Sequence, residues 1–232
     1  MKIPWSKGPV AVFCDFDGTI TFEDTTDAVL EMFALPAYKE WEEKWEEGKI
    51  TAQECMAQQV RLLRVSPEAL RAFLKEIPID PGIYALEEQC LAYGAPLTIV
   101  SDGIDFLMEE ILSLKRLSHI PHYSNRLRWD SKGRLSLAFP YADSSCKGGC
   151  GVCKCRLLTD RRPKEVETIY IGDGLSDCCV VHQADRVFAK KKLRDHCLKE
   201  GIAHDRFETL TDVARTLFRE DLMPSRISGQ NP

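Results

Sequence analysis

Three short runs of apolar residues punctuate the chain, at 10–15 (VAVFCD), 96–101 (PLTIVS) and 167–173 (ETIYIGD), and each ends on Ser or Asp close to a Gly. Near-continuous apolar runs mark strands covered on both faces, which predicts an α/β fold: a Rossmann-like parallel sheet with flanking helices. Helical periodicity fills the intervals at 86–93, 106–114 and 175–182, supplying the crossovers that parallel strands need. A weaker strand at 186–189 and a last helix at 210–218 complete the pattern, and 221–232 reads as a frayed tail. Between the first two strands lie about eighty residues, far more than one crossover requires. Helices are predicted there at 25–35, 37–47, 52–64 and 67–75, the third opened by Thr51 with Glu54 three residues on. The expected organisation is a core of 1–21 and 78–232 with a small helical domain inserted at 22–77.

Ligands of such sheets bind beyond the carboxyl ends of the strands, where all three polar clusters fall. Asp15 and Asp17 share one side if strand geometry persists that far, since alternate strand residues face the same way. A divalent-metal site and a nucleophile then become plausible together. A local turn, in which Asp and Gly are common, is the alternative.

Composition narrows the field. A formal net charge of -5 gives no basic footprint for nucleic acid or an anionic membrane, and 44% hydrophobic residues suit a globular protein. No apolar stretch reaches membrane-spanning length and residues 1–9 lack a signal-peptide pattern, so a cytoplasmic setting is expected. Ten cysteines in that setting argue for reduced thiols or metal rather than a disulfide framework. Cys14, Cys55, Cys90, Cys178, Cys179 and Cys197 read as small core residues.

Four motifs in order then carry a resemblance: DFDGT at 15–19, Ser101 in VSDG, Lys154 at a helix start, and GDGLSD at 172–177. The chain resembles phosphatases of the haloacid dehalogenase (HAD) superfamily, in the branch with a helical cap after the first motif. Within it the likeness is greatest to the methionine-salvage phosphatases acting on 2-hydroxy-3-keto-5-methylthiopentenyl-1-phosphate. Phosphoethanolamine/phosphocholine and phosphoserine phosphatases are similar to a lesser degree. The resemblance implies a phosphoric monoester hydrolase acting on a small phosphate ester. Asp15 is the implied nucleophile, Asp17 the general acid and base, Ser101 a phosphate donor and Lys154 the fixed charge. Mg²⁺ is implied on Asp15, the Asp17 carbonyl and Asp173. Asp177 binds that metal through water or orients Lys154, or else satisfies free helix amides. Amides near Gly18, Thr19, Asp102 and Gly103 add to a phosphate cradle.

In the cap, Asp24 matches the acidic residue that holds the amino group in phosphoserine phosphatases. Gln59 stands where those enzymes place a carboxylate-gripping arginine, which disfavours phosphoserine. Phe22 and Met56 are further candidates for the cap's site-facing wall. A phosphotransferase or mutase, and an inactive scaffold serving as a zinc-dependent interaction module, are the competing functions. Cys146, Cys150, Cys153 and Cys155 precede or flank Lys154 in CxxxCxxCxC spacing. They suit a structural Zn²⁺, plain reduced thiols shaping the loop, or redox-active pairs. Nothing in the sequence sets the oligomeric state.

Overall fold

The computed structural model describes residues 9–218 apart from 147 and 163, so the expected frayed tail at 221–232 lies outside the described residues. Seven strands form one sheet: β1 (Val10–Cys14), β2 (Leu97–Ile104), β3 (His122–Trp129), β4 (Leu135–Ala138), β5 (Glu167–Gly172), β6 (Arg186–Ala189) and β7 (Asp205–Arg206). Their order is β4-β3-β2-β1-β5-β6-β7, with every pairing parallel except β3 with β4. β1 is buried at every position. Its residues alternate between the faces: Val10, Val12 and Cys14 pack with Ile99 and Ile171, whereas Ala11 and Phe13 pack with Val100 and Tyr170.

The sheet grows from β1 toward β2 and β3, then resumes on the other side with β5. β1 and β5 therefore flank the point where the strand order reverses, the place where a crevice opens for ligand. Asp15 and Asp173 directly follow these two strands.

Five helices separate β1 from β2, and the first four are α1 (Thr25–Phe33), α2 (Tyr38–Glu46), α3 (Ala52–Arg61) and α4 (Pro67–Leu74). Each of these four starts except that of α2 has a side-chain cap: Asp24 caps α1, Thr51 and Glu54 form a full capping box on α3, and Ser66 caps α4 with Pro67 in its first turn. The chain leaves and re-enters the sheet side by side, through a bridge between Thr21 and Ile79 and an Asp80 N–H donated to the Ile20 carbonyl at 2.8 Å. The Asp80 carboxylate anchors that neck by accepting the amides of Gly82 and Leu210. These open α5 (Gly82–Ala92) and α9 (Leu210–Leu217).

The remaining helices are α6 (Asp105–Leu114), α7 (Lys154–Arg161) and α8 (Lys191–Glu200). Residues 175–182 do not form the expected helix but two 3-10 turns, Leu175–Asp177 and Val180–His182. The Asp177 carboxylate accepts the amides of Asp173 and Gly174 and folds the chain back on the strand end. The β3–β4 hairpin and α8 were not read from the sequence. Exposed Arg126 and Arg128 interrupt β3, and α8 buries only Leu193 and Cys197, so neither gives a strong periodic signal. No helix of the described residues is long and apolar enough to cross a membrane.

Candidate active site

β1 ends at Cys14, so strand alternation is not what aims the two leading carboxylates. Phe16 turns into the core, and a tight turn at 17–20 follows, in which Gly18 adopts φ +72°. A Cβ at Gly18 would lie 2.3 Å from Asp173 Oδ2, so the glycine allows the two segments to close on each other. Asp15 and Asp17 consequently meet different partners.

Asp15 is buried, and its Oδ1 accepts a hydrogen bond from Lys154 Nζ at 2.7 Å. Lys154 opens α7, and its ammonium also donates to Asp177 Oδ1 at 2.6 Å and Ser176 Oγ at 3.2 Å. Burial alone favours a neutral amine, but Asp15 and Asp177 outweigh it and hold Lys154 above its ordinary value, so it stays cationic. For Asp15, burial and then Asp177 push the carboxyl well up, with Lys154 pulling the other way. The site thus carries more negative charge than Lys154 balances.

Asp17 sits at the junction with the inserted helices. Its Oδ1 accepts the Thr25 amide at 2.9 Å and the Thr25 hydroxyl at 2.5 Å, both from the first turn of α1. Its Oδ2 faces the Ser101 hydroxyl at 3.2 Å. Burial first, then the Asp24 carboxylate, raise Asp17 to about 7, despite the hydrogen bonds from Thr25 and Ser101. Ser101 in turn accepts the Gly103 amide at 2.9 Å, and a Cβ at Gly103 would fall 2.3 Å from Asp17 Oδ2.

Asp15, Asp173 and Asp177 bring ligand oxygens within 4.8 Å of one another. Asp177 is already committed, with Oδ1 taking Lys154 and the Tyr170 hydroxyl and Oδ2 the two backbone amides. It therefore both orients Lys154 and satisfies turn amides, two of the roles expected of it. Asp173 receives the Thr19 hydroxyl on Oδ1 at 3.0 Å and stands 3.1 Å from Lys191 Nζ through Oδ2. Each of those oxygens keeps a further lone pair. Asp15 and Asp173 are thus the pair open to a hard divalent cation, and the excess negative charge matches one.

Several expected phosphate donors are placed otherwise. The amides of Gly18 and Thr19 are spent on the carbonyls of Glu23 and Phe16, and that of Gly103 on Ser101. The Asp102 carboxylate turns away to accept the Val152 amide at 2.8 Å and Asn125 Nδ2 at 3.2 Å, which steadies the loop leading to Lys154. Gln59 is buried within the inserted helices, where its Nε2 donates to Glu42 Oε2 at 2.7 Å.

Asp24 caps α1 with Oδ1, leaving Oδ2 unused by that cap. It is reached by solvent, yet burial is still the main influence raising its carboxyl, a combination that describes the wall of a cleft. Asp27 beside it is pushed up to about 7 by burial, then by Asp24 and Glu42. Phe22 is exposed, its carbonyl accepting from Lys191, and Met56 Sδ approaches Asn125.

Thr25, Asp27, Lys191, Tyr170 and Asn125 were not singled out from the sequence. Lys191 had a usable signal, since Lys190 and Lys191 close the β6 run as Asp173 closes β5. The others act through partners that only the folded chain sets beside them.

All ten cysteines are free. Among the described residues only the carboxylate group brings three ligand atoms within 4.8 Å, so the four sulfurs of the 146–155 segment are not gathered as a tetrahedral zinc site needs. Cys155 leans on the apolar cluster beneath α7. Cys179, expected in the core, is exposed, and its sulfur faces Gly148 of that loop.

Comparison with known proteins agrees with this geometry. A family model described as Putative Phosphatase matches residues 10–214. A 2-hydroxy-3-keto-5-methylthiopentenyl-1-phosphate phosphatase of Brevibacillus brevis is 34% identical, over 90% of this chain and 95% of its own. Its namesake from Bacillus mycoides is 31% identical over the same shares. Among solved structures, a phosphoserine phosphatase with a phospho-aspartyl intermediate analogue superposes with a TM-score of 0.68 at 20% identity, covering 90% of this chain and 99% of that one. A HAD family hydrolase of Salmonella enterica serovar Typhi gives 0.74 at 17% identity, over 95% of this chain and 75% of that one. With these matches over nearly its whole length, the chain belongs to the Putative Phosphatase family, shares the fold of those solved structures, and is a phosphoric monoester hydrolase.

Proposed function

We propose that the protein hydrolyses a small phosphomonoester in two steps through an aspartyl phosphate on Asp15, with residues 22–77 acting as a cap over the core formed by 1–21 and 78–232. One observation carries this reading: a buried carboxylate held by a buried, cationic lysine stands two residues from a carboxyl raised to about 7. That pairing separates a nucleophile from an acid/base.

Asp15 Oδ2, free of the Lys154 contact, attacks phosphorus while Lys154 draws charge from the phosphoryl oxygens. Asp17, protonated near neutrality, gives its proton to the leaving oxygen. As a carboxylate it then takes a proton from the water that splits the aspartyl phosphate. Thr25 fixes one Asp17 oxygen, so the other is the working one, and the Ser101 hydroxyl that faces it turns to a phosphoryl oxygen. Asp15, Asp173 and the Asp17 carbonyl would hold Mg²⁺, which would supply the remaining positive charge that lets an anion meet a phosphate dianion.

The substrate we infer first is 2-hydroxy-3-keto-5-methylthiopentenyl-1-phosphate, after the relatives that share about a third of the sequence. A second reading has its own support. Asp24, Asp27 and Glu42 line up acidic charge on the cap side, which repels a carboxylate-bearing leaving group such as that of phosphoserine and suits an amine such as that of phosphoethanolamine. Phosphate release with Mg²⁺ from these three esters and phosphocholine decides between them. The highest kcat/KM on the methylthiopentenyl ester supports the first reading; a preference for the amines that Asp27→Asn abolishes replaces it with the second. Release that depends on an added hydroxyl acceptor would instead identify a phosphotransferase.

A further inference from the structure

The loop before Lys154 does more than connect β4 to α7. Gly149, at φ +58°, lies against the cap: its carbonyl accepts the Gln53 amide at 3.0 Å, and a Cβ on it would sit 2.6 Å from Thr51 Cγ2. Gly151 packs as tightly on the Asn125 side chain, with a Cβ position 2.6 Å from its Oδ1. The Val152 amide is held by Asp102, Cys153 precedes α7, and Lys154 follows. One short segment therefore touches the cap, the β3 strand and the buried lysine.

Two of its sulfurs, with that of Cys179 from another segment, lie close to Gly148. A Cβ built there would lie 3.3 Å from Cys150 Sγ, 3.8 Å from Cys179 Sγ and 3.9 Å from Cys146 Sγ. The turn that carries Cys146 and Cys150 is closed by the Gly149 amide on the Cys146 carbonyl at 3.2 Å. The neighbouring amides of Gly148 and Cys150 and the thiols of Cys150 and Cys153 favour the charged form of Cys146. Burial works against its ionisation, but these donors win and hold the Cys146 thiol below its ordinary value. Cys150 is its opposite, pushed well up by burial, then by Asp102 and Cys146. A partly exposed thiol of lowered pKa with a second thiol beside the same glycine is the arrangement of an oxidisable sulfur and its resolving partner.

We propose that Cys146 is a peroxide-reactive thiol whose oxidation to a disulfide with Cys150 reversibly switches off the phosphatase by reshaping the loop that seats Lys154 and the cap. The Cys146 thiolate attacks one oxygen of hydrogen peroxide; the O–O bond breaks, sulfur keeps that oxygen as a sulfenic acid, and hydroxide leaves to be protonated to water. The Cys150 sulfur then attacks the sulfenic sulfur, the S–O bond breaks, and a second water departs with the thiol proton as the S–S bond forms. Two thiols lose two electrons, and peroxide gains them. Excess dithiol reductant returns both thiols by exchange. The bond pins the two ends of the Gly148–Gly149 turn, pulling Gly149 from Thr51 and Gln53 and straining the approach to Lys154. The inference depends on Lys154 being part of the catalytic apparatus.

The test titrates the full-length, reduced protein with hydrogen peroxide, following phosphate release and mapping peptides by mass spectrometry. The expected result is loss of roughly tenfold or more in kcat/KM, in step with a Cys146–Cys150 linked peptide, restored by dithiothreitol. Cys146→Ser and Cys150→Ala should each keep their initial activity through the same titration, while Cys179→Ser stays sensitive. Activity that survives with Cys146 and Cys150 oxidised overturns the proposal. So does a wild type whose two thiols stay reduced, or one that holds stoichiometric zinc on them. Reduced protein inactive on every phosphate ester would instead count against the phosphatase reading itself.

Discussion

Asp17 shows how much one side chain's surroundings decide. Its carboxyl is raised from 3.8 to about 7, so the folded protein holds a proton that the unfolded chain releases. Stability contributed at this position is complete at low pH and is lost as pH rises between those values. In metal-free protein, Asp17→Asn should therefore be more stable than wild type at pH 8 by on the order of 2 kcal/mol, with the gap closing near pH 4; urea denaturation at the two pH values measures it. The same variant should be inactive, so stability and function part at this residue. Gly103→Ala places a methyl against Asp17 Oδ2 and should lower kcat by about a hundredfold with little change in KM, as steady-state kinetics will show. Asp15, Asp17, Ser101, Lys154 and Asp173 were singled out in the sequence by the four motifs that carry the family resemblance. Thr25 and Asn125 were not, because a helix-starting threonine and a strand asparagine acquire meaning only when the fold sets them against Asp17 and Asp102.

Elements with local signals formed as expected. The 51–54 capping box and the runs of β1, β2, β5 and β6 each name their own structure, to within a few residues at the ends. The 175–182 segment departed because Asp177 serves Lys154, Tyr170 and two strand-end amides at once, and a regular helix cannot supply that convergence. Asp177→Asn removes one of the two carboxylates that hold a buried ammonium. It should cost about 3 kcal/mol or more, read as a lower chemical-denaturation midpoint, and should lower activity by displacing Lys154. Tyr170→Phe loses one hydrogen bond to Asp177 and should cost only about 1 kcal/mol in the same experiment.

Across the whole molecule, the site residues tie the sheet to the inserted helices. Asp17 joins the end of β1 to α1 through Thr25, and Gly149, shortly before Lys154, meets α3 through the Gln53 amide. The sheet order puts Asp15 and Asp173 beside the reversal between β1 and β5, a placement that required the whole topology. Four of the parallel strands, β1, β2, β5 and β6, could be anticipated from the apolar runs, whereas β3, β7, the antiparallel β4 edge and the strand order could not. Reductive trapping tests the proposed passage of phosphate through Asp15. Enzyme turning over with Mg²⁺ is quenched into sodium borohydride, which converts an acyl phosphate to the alcohol, and the digest is sequenced by mass spectrometry. Homoserine is expected at position 15 and absent without substrate; an unmodified Asp15 during full turnover, or reduction at another carboxylate, would contradict the aspartyl-phosphate route.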